Sequence, residues 1–153
     1  MPLQAERHQI SLLMMWVSER KRRLGREYSL IKVVTLLTRK PGMSREAFIE
    51  HYETHHRKIG EKYLGGFAVK YQRRYLQSAG FREQEGDAPP FDVLMEIWYP
   101  DQEALNGALA VLSTDEAQAE IAADEERLFD RELIRSYSVE EYESEMPAVA
   151  GGT

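Results

Sequence analysis

Three of the chain's four histidines fall within six residues, as His51, His55 and His56 of the stretch HYETHH. An imidazole titrates near neutrality, so such a cluster suits either metal ligation or acid–base chemistry. His51 and His55 stand four residues apart, the spacing that brings two ligands to one helical face. A third ligand is missing: on the same helix Glu50 and Glu53 point away, and the remaining histidine, His8, lies in an N-terminal extension. No metal is therefore expected. The acid–base alternative asks for a ring at the edge of an apolar cavity, with a carboxylate from Asp92, Glu96, Asp124 or Glu125 to orient it or stabilise an imidazolium. Trp98, Tyr75, Tyr71 and Phe129 are candidates to wall an aromatic pocket beside it. The plainer alternatives are core packing for these aromatic side chains and hydrogen bonds at a helix–sheet boundary for the histidines.

The helix that must carry the cluster starts at Ser44, a good N-cap, with Glu46 in its first turn, and ends at Gly65-Gly66. Taking about 100° per residue with Phe48 at zero, Tyr52, Ile59 and Tyr63 fall at about 40°, 20° and 60° and define the buried stripe. His55, His51 and His56 then fall at about −20°, −60° and +80°, all flanking that stripe, with His51 and His56 on opposite sides of it.

Around this helix the pattern alternates. Leu30 to Thr38 is rich in β-branched residues and apolar on both alternating sets, as in a strand covered on two faces. Phe67 to Gln77 reads as a second strand, with Phe67, Val69, Tyr71 and Tyr75 on one face and Lys70 and Arg74 on the other. Ser78 to Pro90 is a loop. In Phe91 to Tyr99, Phe91, Val93, Met95, Ile97 and Tyr99 alternate with Asp92, Leu94, Glu96 and Trp98. Pro100-Asp101 opens a helix to about Leu112, Thr114-Asp115 caps another to about Leu128, and Leu133 to Glu140 forms a last strand. The order β-α-β-β-α-β predicts an α+β ferredoxin-like plait whose helices cover one face of an antiparallel sheet. The apolar second face then calls for a symmetric partner, so a homodimer is expected. Residues 1–29 read as a helical extension with Ile10, Leu13, Met14 and Val17 on one stripe, and 143–153 as a mobile tail.

Composition narrows the chemistry. In 153 residues, 20 Lys and Arg stand against 26 Asp and Glu, a formal charge of −6, which argues against a general phosphate-backbone binder. No cysteine is present, which removes thiol nucleophiles, disulfides and cysteine-ligated metal centres. The apolar run Leu12 to Val17 is far short of the roughly 20 residues that cross a bilayer, and the charged cluster after it does not suit a secretory signal. Neither nucleic acid nor membrane is expected as a partner, and a cytoplasmic location is.

The stretch IKVVTLLTRKPGMSREAFIEHYETHHRKI, the Tyr-bearing second strand, FDVLMEIWYP, DEERLFD and a final strand ending in VEEY together resemble the EthD family over residues 30–142. That family's helix motif runs from Ser through Phe to a His-aromatic pair and a second His five positions after the first, matched here by Ser44, Phe48, His51, Tyr52 and His56. Relatives often carry Trp where this chain has Tyr52, and His55 has no counterpart. The resemblance implies a dimeric α/β barrel and a catalytic pair His51 and His56; to these the residues themselves add a pocket walled by Tyr52, Tyr75, Trp98 and Phe129, with Asp92, Glu96 and Asp124 as supporting carboxylates. The implied activity is cofactor-independent proton transfer by a lyase or isomerase of decarboxylase, dehydratase or cyclase type on a small aromatic or polyketide-like acid. A binding or accessory protein of an oxygenase pathway and a cofactor-free monooxygenase are the alternatives.

Overall fold

The computed structural model describes residues 30–81 and 88–151. Strand β1 (Ile31–Leu37) leads to a long helix, α1, made of Arg45–His51, a π-helical stretch Tyr52–His56, and Arg57–Leu64. Then come β2 (Lys70–Tyr75), β3 (Val93–Tyr99), α2 (Gln102–Leu112), α3 (Asp115–Leu128), a 3-10 turn Arg131–Leu133 and β4 (Arg135–Ser138). The sheet is antiparallel in the order β2-β3-β1-β4, the ferredoxin-like plait. The N-terminal helix expected over residues 1–29 lies outside the described residues. Residues 139–149 form neither helix nor strand.

Each helix starts where its cap residue sits. The side chains of Ser44, Asp101 and Thr114 accept hydrogen bonds from the amides of Ala47, Ala104 and Ala117, satisfying amides that no helical carbonyl reaches. At the far end of α1, Gly66 takes a positive φ and the amides of Phe67 and Ala68 both turn back to the Leu64 carbonyl. Those residues close the helix instead of opening a strand, so β2 begins at Lys70, later than the expected Phe67, and Val69 is left exposed. The last strand is likewise shorter than Leu133 to Glu140, because Arg131–Leu133 forms the 3-10 turn.

Ile31, Val33 and Leu37 of β1 with Val93 and Ile97 of β3 point to the helices and form two adjoining clusters. One holds Leu64, Tyr99, Leu105, Ala108 and Leu109; the other holds Phe48, Tyr52, Leu128 and Phe129. The alternate residues make the sheet's other face, where Val34 pairs with Glu96 and Glu96 with Gln72, and Lys32 pairs with Trp98 and Trp98 with Lys70. Two ties join the end of α3 to the end of β1: the Lys40 amide donates to the Leu128 carbonyl at 2.8 Å, and the Asp130 amide to that of Thr38 at 2.9 Å. They seat Phe129 beneath α1.

Gly60 sits where α1 comes closest to β2. A Cβ there would lie 2.7 Å from Cε1 and 2.9 Å from the hydroxyl of Tyr71, a ring held on one side by the Arg73 guanidinium. Overpacking costs about 1–3 kcal/mol, against the about 1 kcal/mol that Ala gains over Gly in a helix. Gly60→Ala is expected to lower stability in urea unfolding; a variant more stable than the parent would contradict this tight approach.

Candidate active site

His51 and His56 meet on one carboxylate. His51 Nε2 lies 2.7 Å from Asp124 Oδ1, and His56 Nδ1 lies 2.9 Å from Asp124 Oδ2. The helical wheel put these histidines on opposite sides of the buried stripe, and the π-helical stretch is the physical reason they are not. Five α-helical residues turn the chain by about 500°, whereas the wider π turn, in which the Arg57 amide bonds to the Tyr52 carbonyl five residues back, turns it less and returns His56 toward the face of His51. Asp124 comes from α3, so the bridge also ties α1 to α3.

The surroundings of the two rings differ. His56 is buried, edge-on to Tyr52 at 5.0 Å and to Phe129 at 5.1 Å between ring centres. His51 is more open and stacks on His55 at 4.9 Å, nearly parallel. The Thr54 hydroxyl donates to the Glu50 carbonyl at 2.6 Å, so toward His55 Nδ1, 2.8 Å away, it accepts. That fixes the proton of His55 on Nδ1.

Burial pushes the His56 imidazole below its ordinary value of 6.5; hydrogen bonding and charge from Asp124 pull it back in part, and His51 adds to the lowering. Burial alone would raise the Asp124 carboxyl, but the hydrogen bonds to His51 and His56 outweigh it and hold the group below its ordinary 3.8. Both shifts favour the folded protein at higher pH. As pH falls from 6.5 toward the native value of His56, the unfolded chain takes up that proton first and stability drops; below 3.8, Asp124 adds a second loss in the same way. Urea unfolding between pH 7.5 and 5.5 is expected to show the first loss in the native protein and less of it in His56→Gln. Equal slopes in the two proteins would contradict the assigned environment of His56.

The remaining candidates divide by sheet face. Tyr52, Tyr75 and Phe129 stand with the histidine pair, Tyr52 lying 6.0 Å from Tyr75 and 5.7 Å from Phe129 between ring centres. Trp98 and Glu96 do not. They occupy the opposite face of the sheet, where Trp98 Nε1 donates to Glu96 Oε1 at 2.7 Å, Arg74 donates to Glu96 Oε2 at 2.6 Å, and Lys32 and Lys70 lie over the indole. The helices cover the more apolar face of β3, which carries Val93 and Ile97, so the alternate residues cannot reach α1. Asp92 is also elsewhere, accepting from the Arg39 amide at 2.8 Å. Of the three supporting carboxylates expected, only Asp124 meets the imidazoles.

A second polar group lies along β2. Arg73 donates through Nε and Nη2 to the two oxygens of Glu53, each at 2.9 Å, and the Tyr75 hydroxyl donates to Glu53 Oε1 at 2.6 Å. The wheel had Glu53 pointing away from the buried stripe; its partly exposed side chain lies at the edge of α1 next to β2, where Arg73 and Tyr75 reach it. Arg73 was legible in principle: it stands between Tyr71 and Tyr75 on the alternating set that faces the helix, a charge at an inward position. The Tyr52 hydroxyl donates to Met95 Sδ and lies 3.4 Å from that of Tyr71. Among the described residues no His, Asp and Glu side chains form a group of three or more that could hold a metal ion, and no helix is long and apolar enough to cross a membrane.

The EthD domain family matches residues 40–132. An EthD family protein from Bacillus halodurans C-125 superposes with a TM-score of 0.51 at 23% identity, covering 74% of this chain and 99% of that one. An EthD-like protein from Ralstonia eutropha JMP134 gives 0.50 at 18% identity, covering 72% and 88%. A NIPSNAP family protein from Agrobacterium tumefaciens C58 gives 0.51 at 12% identity, covering 74% and 89%. No curated protein matches this chain.

Proposed function

The chain belongs to the EthD family, and from that premise we propose that it is a cofactor-independent lyase or isomerase that moves protons on a small aromatic or polyketide-like acid through His51 and His56. The observation that carries the proposal is the single carboxylate, Asp124, within hydrogen-bond distance of both imidazoles. An ionised Asp124 can only accept, so each ring donates to it, His51 through Nε2–H and His56 through Nδ1–H. Two neutral rings then carry their lone pairs on His51 Nδ1 and His56 Nε2. Lowered by burial, His56 is unprotonated at neutral pH and able to act as a base at Nε2. Once it takes a proton there, the imidazolium keeps its bond to Asp124, which stabilises the new charge. His51, the more exposed ring, can return a proton to the product from Nδ1 once it has taken one there from solvent, keeping its Nε2–H on Asp124, while the proton on His56 Nε2 passes to solvent. Each transfer is worth about 10²–10⁴-fold in rate.

The proposal includes a homodimer built on the open sheet face, where Val34, Leu36 and Leu94 share the surface with Trp98. A monomeric mass at micromolar concentration in light scattering would count against it.

The test is turnover across a panel of aromatic and polyketide acids by the native protein, His51→Gln and His56→Gln. Loss in both variants on any turned-over acid supports the assignment, and full activity in both overturns it. One observation favours a second reading. Because Asp124 links α1 to α3, the same three side chains would serve as a structural clasp in a binding or accessory protein, which predicts affinity for such acids without turnover.

A further inference from the structure

We propose that the fork of Arg73, together with the Tyr75 hydroxyl, is a binding site for the carboxylate of an aromatic acid, occupied in the free protein by the chain's own Glu53. The inference rests on the proposed aromatic-acid substrate and adds where its carboxylate is held.

Three donors converge here on one carboxylate. Arg73 Nε and Nη2 present two parallel N–H groups to the Glu53 oxygens at 2.9 Å, and Tyr75 gives a third bond at 2.6 Å to one of them. This is the planar, two-pronged arrangement in which guanidinium recognises any carboxylate, whether from a side chain or a small molecule. The fork is held in place independently of Glu53: Nη1 donates to the Tyr71 carbonyl at 3.1 Å, and the guanidinium lies 4.8 Å above the Tyr71 ring. Gly60, without a side chain, leaves that ring its room.

Glu53 is the movable member. Its side chain is about one-third exposed, and Arg57, one turn further along α1, already stands 3.5 Å from Glu53 Oε2. Turning outward to Arg57 would keep Glu53 paired while freeing Arg73 and Tyr75 on β2, an edge strand of the sheet. A ligand carboxylate taking that place would sit next to the aromatic cluster in which Tyr75 and His56 both contact Tyr52. At the fork one carboxylate replaces another, so Arg73 keeps a counter-charge, while Glu53 gives up that pairing for Arg57.

The test is calorimetric titration of benzoate and of benzamide, its uncharged analogue, into the native protein, Glu53→Gln and Arg73→Lys. Glu53→Gln removes the competing charge with little change of shape. If the free site is open only about a tenth of the time in the native protein, Glu53→Gln binds benzoate about tenfold more tightly. Arg73→Lys keeps the charge, loses the fork and is expected to bind at least about tenfold more weakly. Benzamide should gain nothing from Glu53→Gln. Unchanged benzoate affinity in Glu53→Gln, or equal gains for benzoate and benzamide, would overturn the site. Should Arg73→Lys not fold, the Glu53→Gln comparison decides alone. Failure here leaves the histidine assignment standing, since that is read from turnover in His51→Gln and His56→Gln.

Discussion

Asp124→Asn is expected to lower turnover by about 10²–10⁴-fold, the range that loss of a correctly held acid or base costs. An amide of the same shape offers one oxygen and one NH₂ group where the carboxylate offers two acceptors. Only one of His51 and His56 then keeps an acceptor. The other must turn its lone pair toward the amide and carry its proton on the outward nitrogen, where it can no longer serve as a base. Stability should fall as well, by about 1.5–3 kcal/mol, since hydrogen bonds to a charged and largely buried group are being replaced. Steady-state kinetics and urea unfolding of the one variant separate these effects. A variant that loses stability but keeps its rate would make Asp124 a clasp between helices and nothing more.

Phe129→Ala should produce the largest loss of stability, about 3–5 kcal/mol for an aromatic side chain removed from a core. The ring is only 3% exposed and meets Phe48, Tyr52 and His56 edge to face, at 5.9, 5.7 and 5.1 Å between centres. Its removal also admits water beside His56. Because burial is the leading cause of that imidazole's lowered pKa, the value should climb back toward 6.5. Phe129→Leu, milder in its cost to the fold, should move the titration in the same direction by less. Equilibrium unfolding and a histidine NMR titration check the pair, and an unmoved His56 titration in both variants would show that Phe129 does not control its environment.

Much of the fold was written in local signals. Ser44, Asp101 and Thr114 mark the helix starts, and the all-apolar set Val93, Met95, Ile97 and Tyr99, alternating with the mixed set Leu94, Glu96 and Trp98, marks a strand with two distinct faces. The same alternation separates Trp98 and Glu96 from Val93 and Ile97, so their distance from the histidines was readable once the helices are assigned to the more apolar face. What a wheel of fixed period could not reveal is the π turn at Tyr52–His56. No residue type in YETHH announces it, because it depends on how α1 settles against α3 and the sheet. Its consequence is the shared carboxylate of His51 and His56; the contact of Glu53 with Arg73 and Tyr75, also missed by sequence reasoning, is a tertiary pairing of α1 with β2. Asp124 was legible only as one carboxylate among several, since pairing across α1 and α3 is a tertiary fact.

The most direct measurement is ¹⁵N NMR of the histidine rings in the native protein above pH 7, with the signals assigned through His51→Gln and His56→Gln. Joint donation to Asp124 predicts His51 protonated on Nε2 and His56 protonated on Nδ1, with the His56 pattern persisting to a pH below 6.5. If both rings instead carry their proton on Nε2, and Asp124→Asn changes neither, then the two imidazoles do not share the carboxylate and the acid–base pair falls with it.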